Sequence, residues 1–364
     1  MKILILNWRD IKHPLAGGAE ISTHEHAKGW VKAGHDVTLF TSSFPGAKEK
    51  EIIDGITAIR RGSHYTVHFF AFLYYLSQGK KFDMVVDEFH FIPFFTPLYV
   101  RKKKLAFIHE TAEEVWFKNK TFPLNVIGFI LEPFSFLFYG HIPFMTVSES
   151  TKRDLMRFRI PQQNIHVVNN GVTRISTNVR RGAYPIVMYL GRISDDKGIG
   201  DAIDAFAFVQ KRHTNAELWI VGKEERKGQI QELKQKLKDL NIARSVEFFG
   251  FVTDKKKFDL LAQAWILLHP SIKEGWGLTV IEAASVGTPT VAYKTAGLSD
   301  SIQHEKTGIL VSEKNPQKLA LAVSVLCTNK KLYEKMSSSA RVWSKQFNWG
   351  KSISQSLKLI HSLV

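Results

Sequence analysis

The chain has 364 residues, of which 44% are apolar, and it carries a formal net charge of +16 and one cysteine, Cys327. This length and apolar content suit two domains, each with its own core. A single cysteine excludes a disulfide framework and indicates a reducing compartment. The opening residues 1–7 are too short for a signal-peptide core, so we expect no export signal and a cytoplasmic location.

The positive charge is spread along the chain. Residues 1–180 hold 23 basic and 16 acidic residues, and the remainder holds 27 and 18. Such a charge favours nucleic acid, phosphorylated substrates or anionic membranes. Without zinc-ligand spacing, an RNA-binding signature or a long basic helix, we expect no nucleic acid partner. A basic, aromatic-rich chain fits an anionic membrane surface better, as a peripheral contact on the inner face.

Strand and helix patterns alternate in the first half, which predicts a parallel, doubly wound sheet. The predicted strands are 3–7, 36–41, 82–87, 104–109 and 145–148, and the predicted helices include one from Gly17-Gly18 to about Ala33 and one over 149–158 capped by Ser148.

Residues 172–184 are polar and lack periodicity, and we interpret them as a linker. A second alternating set follows, with strands 186–190, 217–221, 246–249, 266–270 and 290–293, helices 199–212, 229–240, 278–286 and about 316–327, and a helical segment 332–363 broken at 348–350. Two such halves predict domains over 1–175 and 183–345, with a cleft between them where ligands collect.

Three stretches, 65–76, 89–100 and 122–147, are rich in aromatic residues. Asn125, Glu132, Pro133 and His141 argue against a membrane span over the last of them. The favoured interpretation is core helices and strands. The alternative is an interfacial patch, with residues 101–104 (Arg-Lys-Lys-Lys) meeting anionic head groups.

Two carboxylates, Glu274 and Glu282, stand eight residues apart around a glycine-broken loop and the start of a helix. The backbone N–H groups of Gly277, Leu278 and Thr279 are then unpaired where helices bind anions. Such a site could hold sugar or ribose hydroxyls together with a phosphate. A turn followed by a solvated helix is the plain alternative.

Two further motifs suit phosphate. Gly17-Gly18 opens a helix after the first strand, but the pattern is not the Gly-x-Gly-x-x-Gly that an NAD-dependent oxidoreductase would show. Arg192 and Lys197 follow the first strand of the second half, and a guanidinium beside an ammonium suits a diphosphate. In isolation both motifs are also compatible with ordinary turns.

His109 ends a predicted strand, so its side chain is expected to reach the cleft, with His90 as a competitor one strand earlier. No Asp-x-Asp pair stands at a strand end, so no metal-clamped diphosphate is indicated, and neither metal nor cofactor is expected.

The run from His269 through Val291, which contains both carboxylates, resembles the signature of retaining nucleotide-sugar glycosyltransferases of GT-B fold, and most closely family 4 of that class. The resemblance extends along nearly the whole chain. It implies two Rossmann-like domains facing across a cleft, with the acceptor on the first and the nucleotide sugar on the second. It also implies that the final helix, about 346–364, packs back on the first domain.

The resemblance assigns catalytic contacts with the sugar to His109 and Glu274. The donor-binding residues that it implies are Gly17, Gly18, Arg192, Lys197, Gly222, Gly275, Gly277, Leu278, Thr279 and Glu282. Arg192 and Lys197 would hold the diphosphate, and Glu282 the ribose. Glu224 and Ala296 depart from glycines that are usual in the family.

The implied activity is metal-independent transfer of a sugar, with retention at the anomeric carbon, from a nucleotide-diphosphate sugar to a glycan or lipid-linked acceptor. Two alternatives stay open. A GT-B epimerase would use Glu110, Glu113 or Glu114 as acid and base, and a non-catalytic protein would bind nucleotide sugar or dock on membranes without turnover.

Overall fold

The computed structural model describes residues 1–119 and 121–364. Its contacts divide the chain into two compact units. The first unit comprises residues 1–171 and 349–364, and the second comprises 172–348. Each unit is built around its own sheet. The predicted linker 172–184 lies at the start of the second unit and is irregular throughout.

The elements follow one another in alternation through most of the chain. The strands are β1 (Lys2–Leu6), β2 (Asp36–Thr41), β3 (Lys50–Ile53), β4 (Ile56–Arg60), β5 (Met84–Phe89), β6 (Lys103–Ile108), β7 (Phe144–Thr146), β8 (Ile165–Val167), β9 (Ile186–Leu190), β10 (Glu217–Val221), β11 (Val246–Gly250), β12 (Ile266–His269), β13 (Thr290–Tyr293) and β14 (Gly308–Val311). The helices are α1 (Gly18–Lys32), α2 (Val67–Gln78), α3 (Val115–Asn119), α4 (Leu124–Ser135), α5 (Glu149–Arg157), α6 (Ile199–Gln210), α7 (Gln229–Asp239), α8 (Asp254–Gln263), α9 (Leu278–Ser285), α10 (Ala296–Ser301), α11 (Pro316–Thr328), α12 (Lys330–Ser344) and α13 (Trp349–Ser362).

The sheet of the first unit runs β3-β4-β2-β1-β5-β6-β7-β8. Its pairings are parallel except for the hairpin of β3 and β4. This hairpin was not predicted, although its turn, Asp54-Gly55, has at both residues the left-handed backbone that Asp-Gly commonly adopts in two-residue hairpins.

The sheet of the second unit runs β11-β10-β9-β12-β13-β14, with all pairings parallel. The central strand β9 is buried along its whole length, as expected for a parallel sheet with helices on both faces. The order reverses direction beside β9, so the loops after β9 and β12 open away from each other at the carboxyl edge. Ligands of doubly wound sheets bind at such a switch point.

The last helix, α13, packs on α1 in the first unit. The hydroxyl of Ser356 lies 2.9 Å from Nδ1 of His26 and accepts a hydrogen bond from the indole of Trp30 at 3.0 Å. The Cβ of an alanine at Gly29 would lie 2.4 Å from Ile353 Cγ2. A glycine on α1 therefore lets the two helices approach closely. The helical break falls at residues 345–348, so it begins three residues before the predicted break at 348–350 and overlaps it at residue 348.

Core burial of the aromatic stretches was the favoured interpretation, and for much of α2 and α4 it is wrong. Tyr74 and Tyr75 of α2 are buried, but Phe69 and Leu76 are each 60% exposed. On α4 most apolar side chains point outward, while Glu132 is buried. The prediction that these stretches do not cross a membrane agrees with the helix lengths: within the described residues, no helix is both long and apolar enough for a span.

Candidate active site

Glu274 lies in the loop between β12 and α9, where its carboxylate meets two basic side chains. Its Oε1 accepts a hydrogen bond from Lys197 Nζ at 2.8 Å and lies 3.2 Å from His269 Nε2. The carboxylate is 14% exposed. Burial opposes its ionisation, but the charge of Lys197 and the hydrogen bond with His269 outweigh burial and hold the pKa of Glu274 well below its ordinary value. Glu274 is therefore a fixed anion.

The chain brings Lys197 to Glu274 through the close approach of two loops. Gly198 has a φ of +71°, and a Cβ at this position would lie 2.1 Å from the carbonyl oxygen of Pro270. Only glycine fits both the backbone conformation and this contact. Lys197 is thus held at the start of α6, directly beside the loop that follows β12.

Gly277 is the N-cap of α9, and the N–H groups of Gly277, Leu278 and Thr279 point out of the first turn of this helix. The first recorded backbone bonds of this turn come from Val280 and Ile281, both to the carbonyl of Gly277. Within residues 1–119 and 121–364, the three preceding N–H groups donate to no protein acceptor. Gly275 lies in the loop two residues earlier. This arrangement has the geometry of an anion site.

Glu282 lies one turn into α9, and its partner comes from the neighbouring helix α8. Lys257 Nζ donates to Glu282 Oε1 at 2.6 Å and lies 3.0 Å from Asp254 Oδ1. The side chains of Lys257 and Glu282 are 16% and 15% exposed. Burial raises the pKa of Glu282 above its ordinary value, and the charge of Lys257 limits that rise.

Arg192 follows β9 and already carries two carboxylate partners. Its guanidinium binds Glu225 and lies 3.2 Å from Asp196. The loop after β10 lies against it because Gly222, with a φ of +148°, has no Cβ; a Cβ would be 1.7 Å from the carbonyl of Gly191. A diphosphate that binds Arg192 must share its guanidinium with these carboxylates or replace them.

In the first unit, His109 directly follows β6 and is anchored by Glu88 from β5. Its Nε2 lies 2.9 Å from Glu88 Oε1. Glu88 is fully buried and also accepts hydrogen bonds from Thr23 and Asn7. Burial raises the pKa of Glu88, and the bond with His109 opposes this rise. Glu88 thereby fixes the orientation of the imidazole.

The glycine pair of the first unit lies at the start of α1. Gly17 is the N-cap and donates its N–H to Glu20 at 2.7 Å, and Gly18 is the first helical residue. The competing histidine, His90, follows β5 and stacks on Trp8 with ring centroids 5.1 Å apart. Burial holds the pKa of His90 well below its ordinary value.

The structure therefore brings some of the predicted residues into contact and gives others partners that were not predicted. Lys197 touches Glu274, whereas Glu282 and Arg192 bind partners that the sequence analysis did not name. The missed residues are Glu88, Glu225, Lys257 and His269. Glu88 is an acid at the end of a buried strand, a signal that could have been used, but nothing local marks Lys257 as the partner of a residue 25 positions away.

Over the part of the chain that the structure describes, no group of three or more His, Cys, Asp or Glu side chains is placed to hold a metal ion.

Comparison with known proteins places the chain in a family. Residues 16–174 match the family described as Glycosyltransferase Family 4, and residues 174–343 match the family described as glycosyl transferases group 1. An uncharacterised glycosyltransferase of Methanocaldococcus jannaschii is 26% identical over 357 residues, which cover 89% of this chain and 88% of that protein.

Solved structures share the fold over the whole chain. Sucrose-phosphate synthase from Thermosynechococcus elongatus superposes with a TM-score of 0.82 at 18% identity, covering 100% of this chain and 98% of that one. HepE from Anabaena, solved in complex with UDP and glucose, has a TM-score of 0.77 at 19% identity with full coverage of both chains. With both halves matched and the GT-B fold in place, the chain belongs to the family 4, group 1 glycosyltransferases.

Proposed function

We propose that this glycosyltransferase moves a sugar from a nucleotide-diphosphate sugar to a glycan or lipid-linked acceptor, with retention at the anomeric carbon and without a metal ion. The observation that carries the donor assignment is the pairing of Lys197 with Glu274 beside the open N-terminus of α9. This places a cation, a carboxylate and unpaired N–H groups in one loop region. A sugar diphosphate needs each of these groups.

The second unit supplies the donor contacts. Lys197, Arg192 and the N–H groups at the start of α9 face the diphosphate and stabilise its developing charge. Oε1 of Glu274 already holds its two basic partners, so Oε2 accepts from the sugar hydroxyls. Glu282 accepts from the ribose hydroxyls. These fixed charges make a metal clamp on the diphosphate unnecessary.

The reaction is a substitution at the anomeric carbon. The bond between that carbon and the diphosphate oxygen breaks while the acceptor hydroxyl attacks on the same face. The leaving phosphate oxygen takes the proton of that hydroxyl, so the products are the glycoside and the nucleoside diphosphate. His109, oriented by Glu88, contacts the donor sugar. A hydrolase-type carboxylate pair flanking the bond is not part of this scheme.

A turnover screen tests the donor assignment. Purified protein is incubated with UDP-, GDP- and ADP-sugars, with and without membrane extract, while released nucleoside diphosphate is measured. UDP-sugars come first, because the related HepE structure contains UDP and glucose. We expect release from one donor, stimulated by extract, and its loss in Glu274→Ala and Arg192→Ala.

Matched variants control for non-specific effects. Arg212→Ala and Glu334→Ala alter exposed side chains of the second unit and should retain turnover. An anomeric proton signal of opposite configuration to the donor, or activity that EDTA abolishes, would refute retention or metal independence respectively. Nucleotide binding without turnover on any donor would favour a non-catalytic binding protein.

We propose that the enzyme binds its acceptor at an anionic membrane surface, on the cytoplasmic side of that membrane. Three facts support this: the net charge of +16, the single cysteine, and the apolar side chains that α2 and α4 turn outward. Extraction of the membrane fraction with organic solvent should transfer the acceptor activity to the lipid extract. Acceptor activity that stays wholly in the aqueous fraction would contradict a lipid-linked acceptor.

A further inference from the structure

One face of the first unit is unusually apolar. It is formed by α2, residues 91–103, α3, α4 and the short turn 136–139, and is called the apolar face below. Thirty large apolar side chains are exposed in the described part of the chain, and eighteen of them lie within residues 65–82, 91–108 and 115–143. Exposed apolar patches of this density mark interaction surfaces in soluble proteins.

The elements of the apolar face are joined by ring contacts. Tyr99 packs against Phe72 of α2, with centroids 5.1 Å apart, and Phe95 packs against Phe138 at 5.9 Å. Phe117 of α3 contacts Phe129 of α4 at 5.2 Å. The face is therefore one continuous surface.

The helix α4 is inverted relative to an ordinary surface helix. Its only acid, Glu132, is 6% exposed and accepts hydrogen bonds from the N–H groups of Ala112 and Glu113 at 2.6 and 2.8 Å. Its Oε2 also accepts from the indole of Trp116 at 3.0 Å. With the carboxylate bound inside, the residues on the opposite side, such as Ile130 and Phe134, are 54% and 56% exposed. The outward apolar side is thus fixed by specific internal bonds.

The charge of the same segments is one-sided. Residues 65–82, 91–108 and 115–143 contain eight Lys or Arg residues, and Glu132 is the only acid. Arg101 and Lys102 are exposed, and the pairing of Met84 with Lys103 brings this loop to the edge of the sheet where Lys80 and Lys81 lie. The exposed carboxylates of Asp83 and Glu114 flank these segments, but the cations outnumber them. Cations in excess beside an apolar surface match phosphate head groups above hydrocarbon.

We infer that the apolar face docks on a bilayer containing anionic lipids, with the outward side of α4 in the interface and residues 80–81 and 101–103 on the head groups. A second copy of the chain fits poorly, because a symmetric contact would bring equal positive charges together. The inference deepens the proposed function, because a lipid-linked acceptor presented by this bilayer would reach the unit that carries His109.

Flotation with vesicles tests the inference on the full chain. Wild-type protein should float with phosphatidylglycerol–phosphatidylcholine vesicles, less at high salt, and remain unbound with phosphatidylcholine alone. The double variant Ile130→Glu, Phe134→Glu should abolish flotation. Its matched control, Leu321→Glu with Val325→Glu on α11 of the second unit, changes side chains that are 49% and 46% exposed and should leave flotation unchanged.

A second pair of variants tests the charges. Arg101→Glu with Lys102→Glu should lower vesicle affinity by at least about fivefold for each reversed charge, whereas Lys330→Glu with Lys331→Glu should change it little. Folding of every variant is checked by circular dichroism and by nucleotide binding, which the second unit provides.

The outcomes separate docking from catalysis. Equal loss in test and control variants, equal binding to neutral vesicles, or concentration-dependent dimers with no flotation would overturn the docking inference. Vesicle binding with the expected variant pattern supports it even where no donor is turned over. Turnover without vesicle binding leaves the proposed function standing and overturns the docking surface.

Discussion

Replacing Lys257 by methionine should weaken nucleotide binding in a pH-dependent way. The ammonium of Lys257 lies 2.6 Å from Glu282, and both side chains are about five-sixths buried. The proposed ribose contact requires Glu282 to be ionised, because only a carboxylate accepts bonds from both ribose hydroxyls. Burial already raises the pKa of Glu282, and Lys257 opposes that rise. Without Lys257, the pKa of Glu282 should rise further, so a smaller fraction of this carboxyl group is ionised.

The size of the effect follows from the bond that is lost. A hydrogen bond from a neutral donor to a charged group contributes about 1.5–3 kcal/mol, so nucleoside diphosphate affinity at pH 7 should fall roughly 10- to 150-fold. The loss should shrink as pH rises, since a larger fraction of the Glu282 carboxyl group is then ionised. Titration calorimetry with the nucleotide that the wild type binds gives this pH profile.

A neighbouring lysine provides the control. Lys255 lies on the same helix and pairs with Asp259 at 2.7 Å, but its side chain is 59% exposed. Lys255→Met should leave affinity and pH profile unchanged, because an exposed pair contributes little. Tighter binding in Lys257→Met would show that Lys257 competes with the ribose, and an unchanged affinity at all pH values would remove Glu282 from the nucleotide site.

Three further predictions concern stability, each measured by urea unfolding. Glu132→Gln should lower the free energy of unfolding by about 2–4 kcal/mol, since a neutral amide replaces a carboxylate that binds three N–H donors. The control, Glu49→Gln on the surface, should lower it by less than about 1 kcal/mol. Equal losses would disprove the anchoring role of Glu132. Gly29→Ala should lower the free energy of unfolding by about 1–3 kcal/mol, because the new methyl group pushes Ile353 and α13 away from α1. Gly140→Ala is its control, because a Cβ at this position meets no atom within 4 Å. Burial lowers the pKa of His26 in the folded protein to about 3. Below pH 6.5 the unfolded chain therefore binds a proton at His26 that the folded protein does not bind, and the free energy of unfolding decreases as pH falls from 6.5 towards 3. Wild type should therefore lose about 2 kcal/mol more than His26→Gln between pH 7 and pH 5, and parallel pH dependences would contradict this assignment.

Much of the fold could be predicted because it depends on local pattern. Buried strands such as β9 appear as continuous apolar runs, and helices such as α5 begin at a recognisable cap, Ser148. The β3–β4 hairpin was missed because its strands are only four and five residues long and because their sequences, KEII and ITAIR, do not alternate strictly between apolar and polar residues. The prediction that the aromatic stretches are core elements was wrong for a related reason. Composition gives the apolar content of a helix but not which of its sides faces the sheet.

The features of the candidate site also fall into two groups, those that the sequence determines and those that the tertiary structure decides. The sequence determines which residues follow each strand of a parallel sheet. It therefore determines the spacing of Glu274 and Glu282, the order of Arg192 and Lys197, and the glycines at strand ends. The partners are decided by tertiary structure. Lys257 reaches Glu282, and Glu88 reaches His109, because neighbouring elements place side chains together across 25 and 21 positions of the chain. The burial of Glu132 is also a tertiary property: the loop at Ala112 and the indole of Trp116 offer N–H groups that only a carboxylate on the inner side of α4 can satisfy, and this turns the apolar side of that helix outward.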